Sequence, residues 1–158
     1  MVDGCSFLRS TVRLHKPIQL RVADVHEQAA LRYLARRDRT EVQIRTYLDR
    51  IGASSARIRR LIAKFYRMGY LDDHAYARRW ARNRIARRPM GRERLELELR
   101  GQGLDASTIA GAVEELYAET SERELALKLV EAGAMTPGVL RRRGFSEDTI
   151  ESVLCREV

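Results

Sequence analysis

From about residue 26 onward, apolar residues recur at helical spacing. Ile58, Leu61, Ile62, Phe65 and Met68 share one face at about 100° per residue, and Tyr76, Ala77, Trp80, Ala81 and Ile85 share another. The pattern predicts helices over 26–37, 40–51, 55–68, 73–88, 92–102, 106–119, 122–132, 137–143 and 147–156. Residues 1–25 do not follow it. Alternation at Ile18, Leu20 and Val22 fits either a short strand or a flexible leader.

The apolar positions also repeat. Shifted by 51 residues, Leu34 falls on Ile85, Ile44 on Leu95, Leu48 on Leu99, Gly52 on Gly103, Ile58 on Ile109, Ile62 on Val113 and Phe65 on Leu116. A further shift of 41 carries Leu99 to Leu140, Gly103 to Gly144, Ile109 to Ile150 and Val113 to Leu154. Each recurring glycine follows a helix end, where the left-handed conformation is open to it at little cost. Two residues later stands Ser54, Asp105 or Ser146, each able to cap the next helix. Thr40 with Gln43 and Ser121 with Glu124 have capping-box spacing, and Thr136-Pro137 suits a helix start. The expected fold is all-α: tandem three-helix, helix-turn-helix-like repeats over 26–72, 73–120 and 121–158, forming an elongated, curved array.

Charge divides the chain unevenly. The net charge is +8, but residues 1–104 hold 24 Lys and Arg against 11 Asp and Glu, while 105–158 hold 6 against 11. A basic two thirds and an acidic third suggest a side that faces a polyanion. On helix 55–68, Arg57, Arg60, Lys64 and Arg67 lie opposite the apolar face with no acidic residue among them. Their counterparts in the second repeat are Thr108, Gly111, Glu115 and Ala118, so the repeat itself does not require cations there. Helix 73–88 carries Arg78, Arg79 and Arg82 opposite its apolar half; Arg87 and Arg88 in its last turn suit either a partner or the helix dipole. Arg84 projects from within the apolar arc, where a structural role is expected, past Trp80 or onto a buried carboxylate. Tyr66, Tyr70 and Tyr76 are expected to pack in the core rather than stack on bases, and Trp80 is expected in the core as well.

Other chemistry finds little support. His15, His26 and His74 have no His or Cys at metal-ligand spacing, so no metal or cofactor is expected. Cys5 and Cys155 read as reduced thiols. Asp72 and Asp73 are expected to cap a helix rather than bind a cation. No nucleophile, phosphate loop or carboxylate set points to catalysis. Without a targeting signal or a membrane-length apolar run, a cytoplasmic protein is expected.

Gly69-Tyr70-Leu71-Asp72-Asp73 with His74-Ala75-Tyr76-Ala77, then Gly91, Arg94-Leu95, Glu98-Leu99 and Gly103, resemble the RecX family of recombination regulators. Arg141-Arg142-Arg143-Gly144-Phe145-Ser146, with Ile150 and Val153-Leu154, resembles the end of that family's third repeat. The resemblance spans residues 26–158. It implies a non-enzymatic protein that binds along RecA recombinase filaments on single-stranded DNA, inhibits strand exchange and ATP hydrolysis, and promotes filament loss. Weak binding to duplex DNA and a monomeric state are further expectations. On this reading Arg57, Arg60, Lys64, Arg67, Arg78, Arg79 and Arg82 form the main contact, with Arg141, Arg142 and Arg143 as a second. The rival is a sequence-specific helix-turn-helix protein that inserts helix 55–68 into a major groove. That helix, however, exposes no Asn or Gln to read bases.

Overall fold

The computed structural model describes residues 24–133 and 136–155, all helices and connections. In chain order the helices are α1 (Val25–Leu34), α2 (Glu41–Arg50), α3 (Ser55–Arg67), α4 (Asp73–Arg87), α5 (Arg92–Arg100), α6 (Ala106–Glu119), α7 (Glu122–Glu131), α8 (Pro137–Arg142) and α9 (Glu147–Leu154). There is no strand among the described residues. The Ile18-Leu20-Val22 alternation and Cys5 lie outside them.

The punctuation of the sequence does what its chemistry demands. Gly52, Gly103 and Gly144 take φ of 83°, 81° and 76°, turning the chain after α2, α5 and α8. Ser54, Asp105 and Ser146 then accept hydrogen bonds from the first turns of α3, α6 and α9. Thr40 and Ser121 cap α2 and α7 in the same way, whereas Thr136 makes no side-chain cap and Pro137 opens α8. The two adjacent aspartates divide their work. Asp72 caps α4 through Ala75 N–H at 2.8 Å, while Asp73 accepts the Glu41 N–H of α2 at 3.0 Å.

Several expectations need correction. α1 begins at Val25 behind the N-cap Asp24, so the end of the supposed leader is helical. It also stops at Leu34, short of residue 37. The chain doubles back there and sets the Arg39 guanidinium 4.0 Å above the Tyr33 ring. Met68 follows the last turn of α3 and is 49% exposed, and Tyr66 and Tyr70 are 40% and 48% exposed rather than buried. Trp80 and Tyr76 are half-buried at the margin of the core.

The core has two bodies. Ala30, Ile44, Leu48, Ala53, Ile58, Leu61, Ile62, Phe65 and Leu71 close the first. The second runs from Ala77 to Val153 without interruption, through α4 packed along α6 and α7 along α9. Polar joints link the successive helix triplets. At the first, the fully buried Thr40 hydroxyl donates to Gln102 O at 2.9 Å, next to the Asp73 bond to Glu41 N. At the second, Gly91 N–H donates to Arg143 O at 2.9 Å, and Glu122 Oε1 accepts the Arg92 N–H at 3.1 Å. Beside it, the buried Tyr117 hydroxyl donates to Met90 O at 2.8 Å.

Two glycines separate packing from propensity. A Cβ on Gly91 would stand 1.8 Å from Gly144 O, whereas one on Gly111, exposed within α6, would meet nothing within 4 Å. Gly91→Ala is therefore expected to destabilise by about 3 kcal/mol, and Gly111→Ala to stabilise by about 0.5–1 kcal/mol. Urea denaturation of both variants checks the opposite signs.

Candidate functional site

The α3 stripe faces α1 and not solvent alone. Asp24 and Glu27 reach across to pair with Arg57 and Lys64 respectively, which the sequence did not reveal because no acid lies on α3 itself. Arg60 and Arg67 line the same groove, about 700 Å³, without a carboxylate partner among the described residues. Two of the four cations are thus tied internally, and two remain available.

Helix α4 shows the same economy. Arg82 pairs with Glu119 at 2.6 Å and Glu115 at 3.3 Å, and Arg78 lies 3.7 Å from Glu115. Arg79 pairs with Asp38 of the α1–α2 connection at 2.7 Å. Glu27–Lys64 and Arg78–Glu115 occupy matching positions in consecutive repeats, 51 residues apart, with the signs exchanged. A link between first and third helix thus recurs, and either polarity serves it. These pairs are solvent-accessible and worth about 0–1 kcal/mol each, so a polyanion can exchange for the internal carboxylates.

At the other end, Arg141 is held by Glu147 at 2.6 and 2.8 Å. That contact raises the guanidinium's affinity for its proton and lowers the carboxyl's pKa. Arg143 donates to Pro89 O at 3.2 Å and belongs to the second joint. Arg142 is exposed and has no carboxylate partner among the described residues. Of the ten candidate cations, then, Arg60, Arg67 and Arg142 stand clear of internal polar contacts to other helices. The structure does not gather all ten on one surface, since the α1–α3 groove shares no lining residue with the groove that holds Arg142 and Arg143.

Arg84 has the structural place expected of it. It makes a two-pronged contact with Glu98 of α5, one arm at 3.0 Å, and Arg94 reaches the same carboxylate at 3.2 Å. Glu98, only 15% exposed, is held below its ordinary pKa chiefly by the Arg84 hydrogen bond. The residues missed in the sequence are those around Trp80. Two grooves are lined by Trp80, Asn83 and Gln102 among several arginines, one along α4 and α5 and the other, with Gln43, between the first and second triplets. Its helical spacing from Tyr76, Ala77, Ala81 and Ile85 made Trp80 look like core, and the groove it shares with Arg37 and Gln43 arises only where two triplets meet.

Residues 28–65 match the family profile "RecX, first three-helix domain", and residues 72–113 match "RecX, second three-helix domain". A curated relative, "Regulatory protein RecX" of Treponema pallidum (strain Nichols), is 33% identical over 130 residues, covering 82% of this chain and 75% of its own. The chain belongs to the RecX family. A RecX protein of Mycobacterium leprae is 28% identical over 87% of this chain and 90% of its own. Among solved structures, a regulatory protein RecX superposes with a TM-score of 0.70 at 26% identity, covering 81% of this chain and 69% of the other. RecX from Lactobacillus salivarius does so with a TM-score of 0.73 at 22% identity, covering 82% and 92%. RecX proteins are regulatory and not enzymatic, and the three-helix domains named in the profiles correspond to the α1–α3 and α4–α6 triplets. Among the described residues no helix is long and apolar enough to cross a membrane, and no cluster of three or more His, Cys, Asp or Glu is placed to hold a metal.

The Arg84–Glu98 contact carries a pH signature. Because the folded carboxyl binds its proton more weakly than the unfolded one, whose ordinary pKa is 4.5, the contribution is complete above that value. It drains away as the pH falls through the depressed folded pKa. Glu98→Gln is expected to cost about 1 kcal/mol at pH 7 and much less at pH 3. Urea unfolding at both pH values decides it: an equal loss at each would assign Glu98 to packing alone.

Proposed function

We propose that this protein binds RecA recombinase filaments assembled on single-stranded DNA and inhibits strand exchange and ATP hydrolysis, acting in the cytoplasm as a monomer without a cofactor. Its working units are the triplets 26–72, 73–120 and 121–158, arranged as an elongated, curved array along the filament. The α1–α3 groove carries this reading, because Arg60 and Arg67 there present guanidinium groups with no internal carboxylate. Family membership in a class of regulators supports the same direction. Arg57 and Lys64 add to the contact when the filament's phosphates or carboxylates replace Asp24 and Glu27. Arg78, Arg79 and Arg82 do so by the same exchange, and Arg141, Arg142 and Arg143 supply the distal contact.

Base reading by α3 in a duplex is disfavoured because the helix carries no Asn or Gln to read base edges. Asp24 and Glu27 line the same groove as its cations. An acidic rim of this kind suits a surface that must meet protein as well as nucleic acid.

The test is the double variant Arg60→Glu/Arg67→Glu, which breaks no internal ion pair. Added to recombinase filaments on single-stranded DNA, it is expected to need at least about tenfold more protein than the parent to suppress ATP hydrolysis, with an unchanged circular dichroism spectrum. Undiminished inhibition by the folded variant overturns the assignment. Filament binding by the parent is also expected to weaken log-linearly with salt, with a shallower slope in the variant, if phosphates are the ligands.

A further inference from the structure

A different surface lies along α4 and α5 and runs to the joint between the first two helix triplets. Trp80 packs one side against the second core and leaves the rest lining two adjoining grooves, of about 560 and 380 Å³. Both grooves include Asn83 and Gln102; one adds Arg87, and the other Arg37 and Arg79. The first shares Glu98 with the arginine-rich groove at the next joint, which Arg88 and Arg142 line. The cavities therefore adjoin along α5, giving an arginine-rich track with a tryptophan midway, in which Asp38 is paired with Arg79, and Glu98 with Arg84 and Arg94.

Tyr76 lines one of these grooves with Trp80, its hydroxyl donating to Gln102 Oε1 at 3.1 Å, and the remaining aromatic rings nearby are engaged. Tyr33 and Tyr47 stack on each other at 4.2 Å, with Arg39 over the former, and Arg92 lies over Tyr117. No ring or guanidinium stacks on Trp80 among the described residues. An accessible indole bordered by side-chain amides and by guanidinium groups matches the chemistry of an unpaired nucleotide. The base stacks, the amides meet its edge, and the cations take the flanking phosphates. Acidic peptide would satisfy the guanidiniums but leave the indole and the exposed Asn83 amide without a complement, Gln102 Oε1 being already held by Gln43 and Tyr76.

We propose that the Trp80 groove is a single-strand nucleic-acid site, in which an unpaired base stacks on Trp80 beside Asn83 and Gln102 while Arg37, Arg79 and Arg87 hold the adjoining phosphates. The site rests on the nucleic-acid half of the function proposed above but not on the recombinase contact. It is a surface separate from the α1–α3 groove, with no lining residue in common.

Trp80 is the sole tryptophan of the chain and so reports on its own site. The full-length protein, without recombinase, is titrated with a single-stranded oligonucleotide of about 15 nucleotides, a length within the range of known single-strand footprints. Tryptophan emission is followed alongside anisotropy of a labelled strand. Quenching by the single strand is expected, and none by blunt duplex or by inorganic polyphosphate at concentrations that saturate binding. Trp80→Leu is expected to weaken single-strand affinity about tenfold while leaving polyphosphate affinity unchanged, and Trp80→Phe to retain most of the affinity. The proposal is overturned by unchanged emission at saturating strand, by equal losses of strand and polyphosphate affinity in Trp80→Leu, or by polyglutamate quenching as strongly as DNA. Because the recombinase is absent, any of these results leaves the α3 contact to be judged by its own assay.

Discussion

A helix begins with N–H groups that have no partner inside it, and this protein uses that deficit to hold its units together. The first N–H of α2 goes to Asp73, at the start of α4, and the first N–H of α5 goes to Glu122, at the start of α7. One residue earlier in each case, Thr40 or Gly91 donates to the carbonyl preceding the next unit's turn glycine, Gln102 O or Arg143 O. The two joints are thus the same construction made with different side chains. Where Thr40 supplies a hydroxyl, Gly91 supplies only its backbone, and the space left by the missing side chain admits the Gly144 carbonyl. Separating the units would exchange these hydrogen bonds for bonds to water, at a net loss of about 0.5–1.5 kcal/mol each. The grooves that hold Arg142 and Arg37 are each lined from two triplets and owe their shape to this docking.

Charge is arranged around the same scaffold. The basic excess of the first two thirds is partly spent inside the molecule, since α1 neutralises α3 and α6 neutralises α4. The exchange of signs between Glu27–Lys64 and Arg78–Glu115 explains how one fold can present a basic third helix in its first unit and an acidic third helix in its second. What remains for partners is a smaller set of cations than their number suggests, divided between the α1–α3 groove and the track along α5.

Local chemistry was readable in the sequence, and its long-range consequences were not. The turn glycines, the caps at Ser54, Asp105 and Ser146, and the helix starts from α3 onward follow from residue type and spacing, because each depends on neighbours within one turn. The carboxylates opposite Arg57 and Lys64 lie 33 and 37 residues earlier in the chain, in and just before a helix whose own pattern says nothing of α3. Trp80 was misplaced for a related reason. Periodicity says which face of α4 is apolar, but not that the edge of that face opens between two units. Tyr66, Tyr70 and Met68 sit where α3 runs out, and an apolar stripe continues in sequence past the point at which the core it serves has ended.

Pro137 stands at the first position of α8, the place held by Glu41 in α2 and Arg92 in α5. Those two residues donate the backbone hydrogen that a following carboxylate accepts; a proline has none to give. Val25 mirrors this at the other end, 67% exposed at the α1 position where Asp73 and Glu122 supply the accepting carboxylates in α4 and α7. The coupling therefore has a direction: the first position of α1 lacks the acceptor and the first position of α8 lacks the donor. The backbone hydrogen bond that joins α2 to α4 and α5 to α7 thus has no counterpart between α8 of one copy and α1 of another.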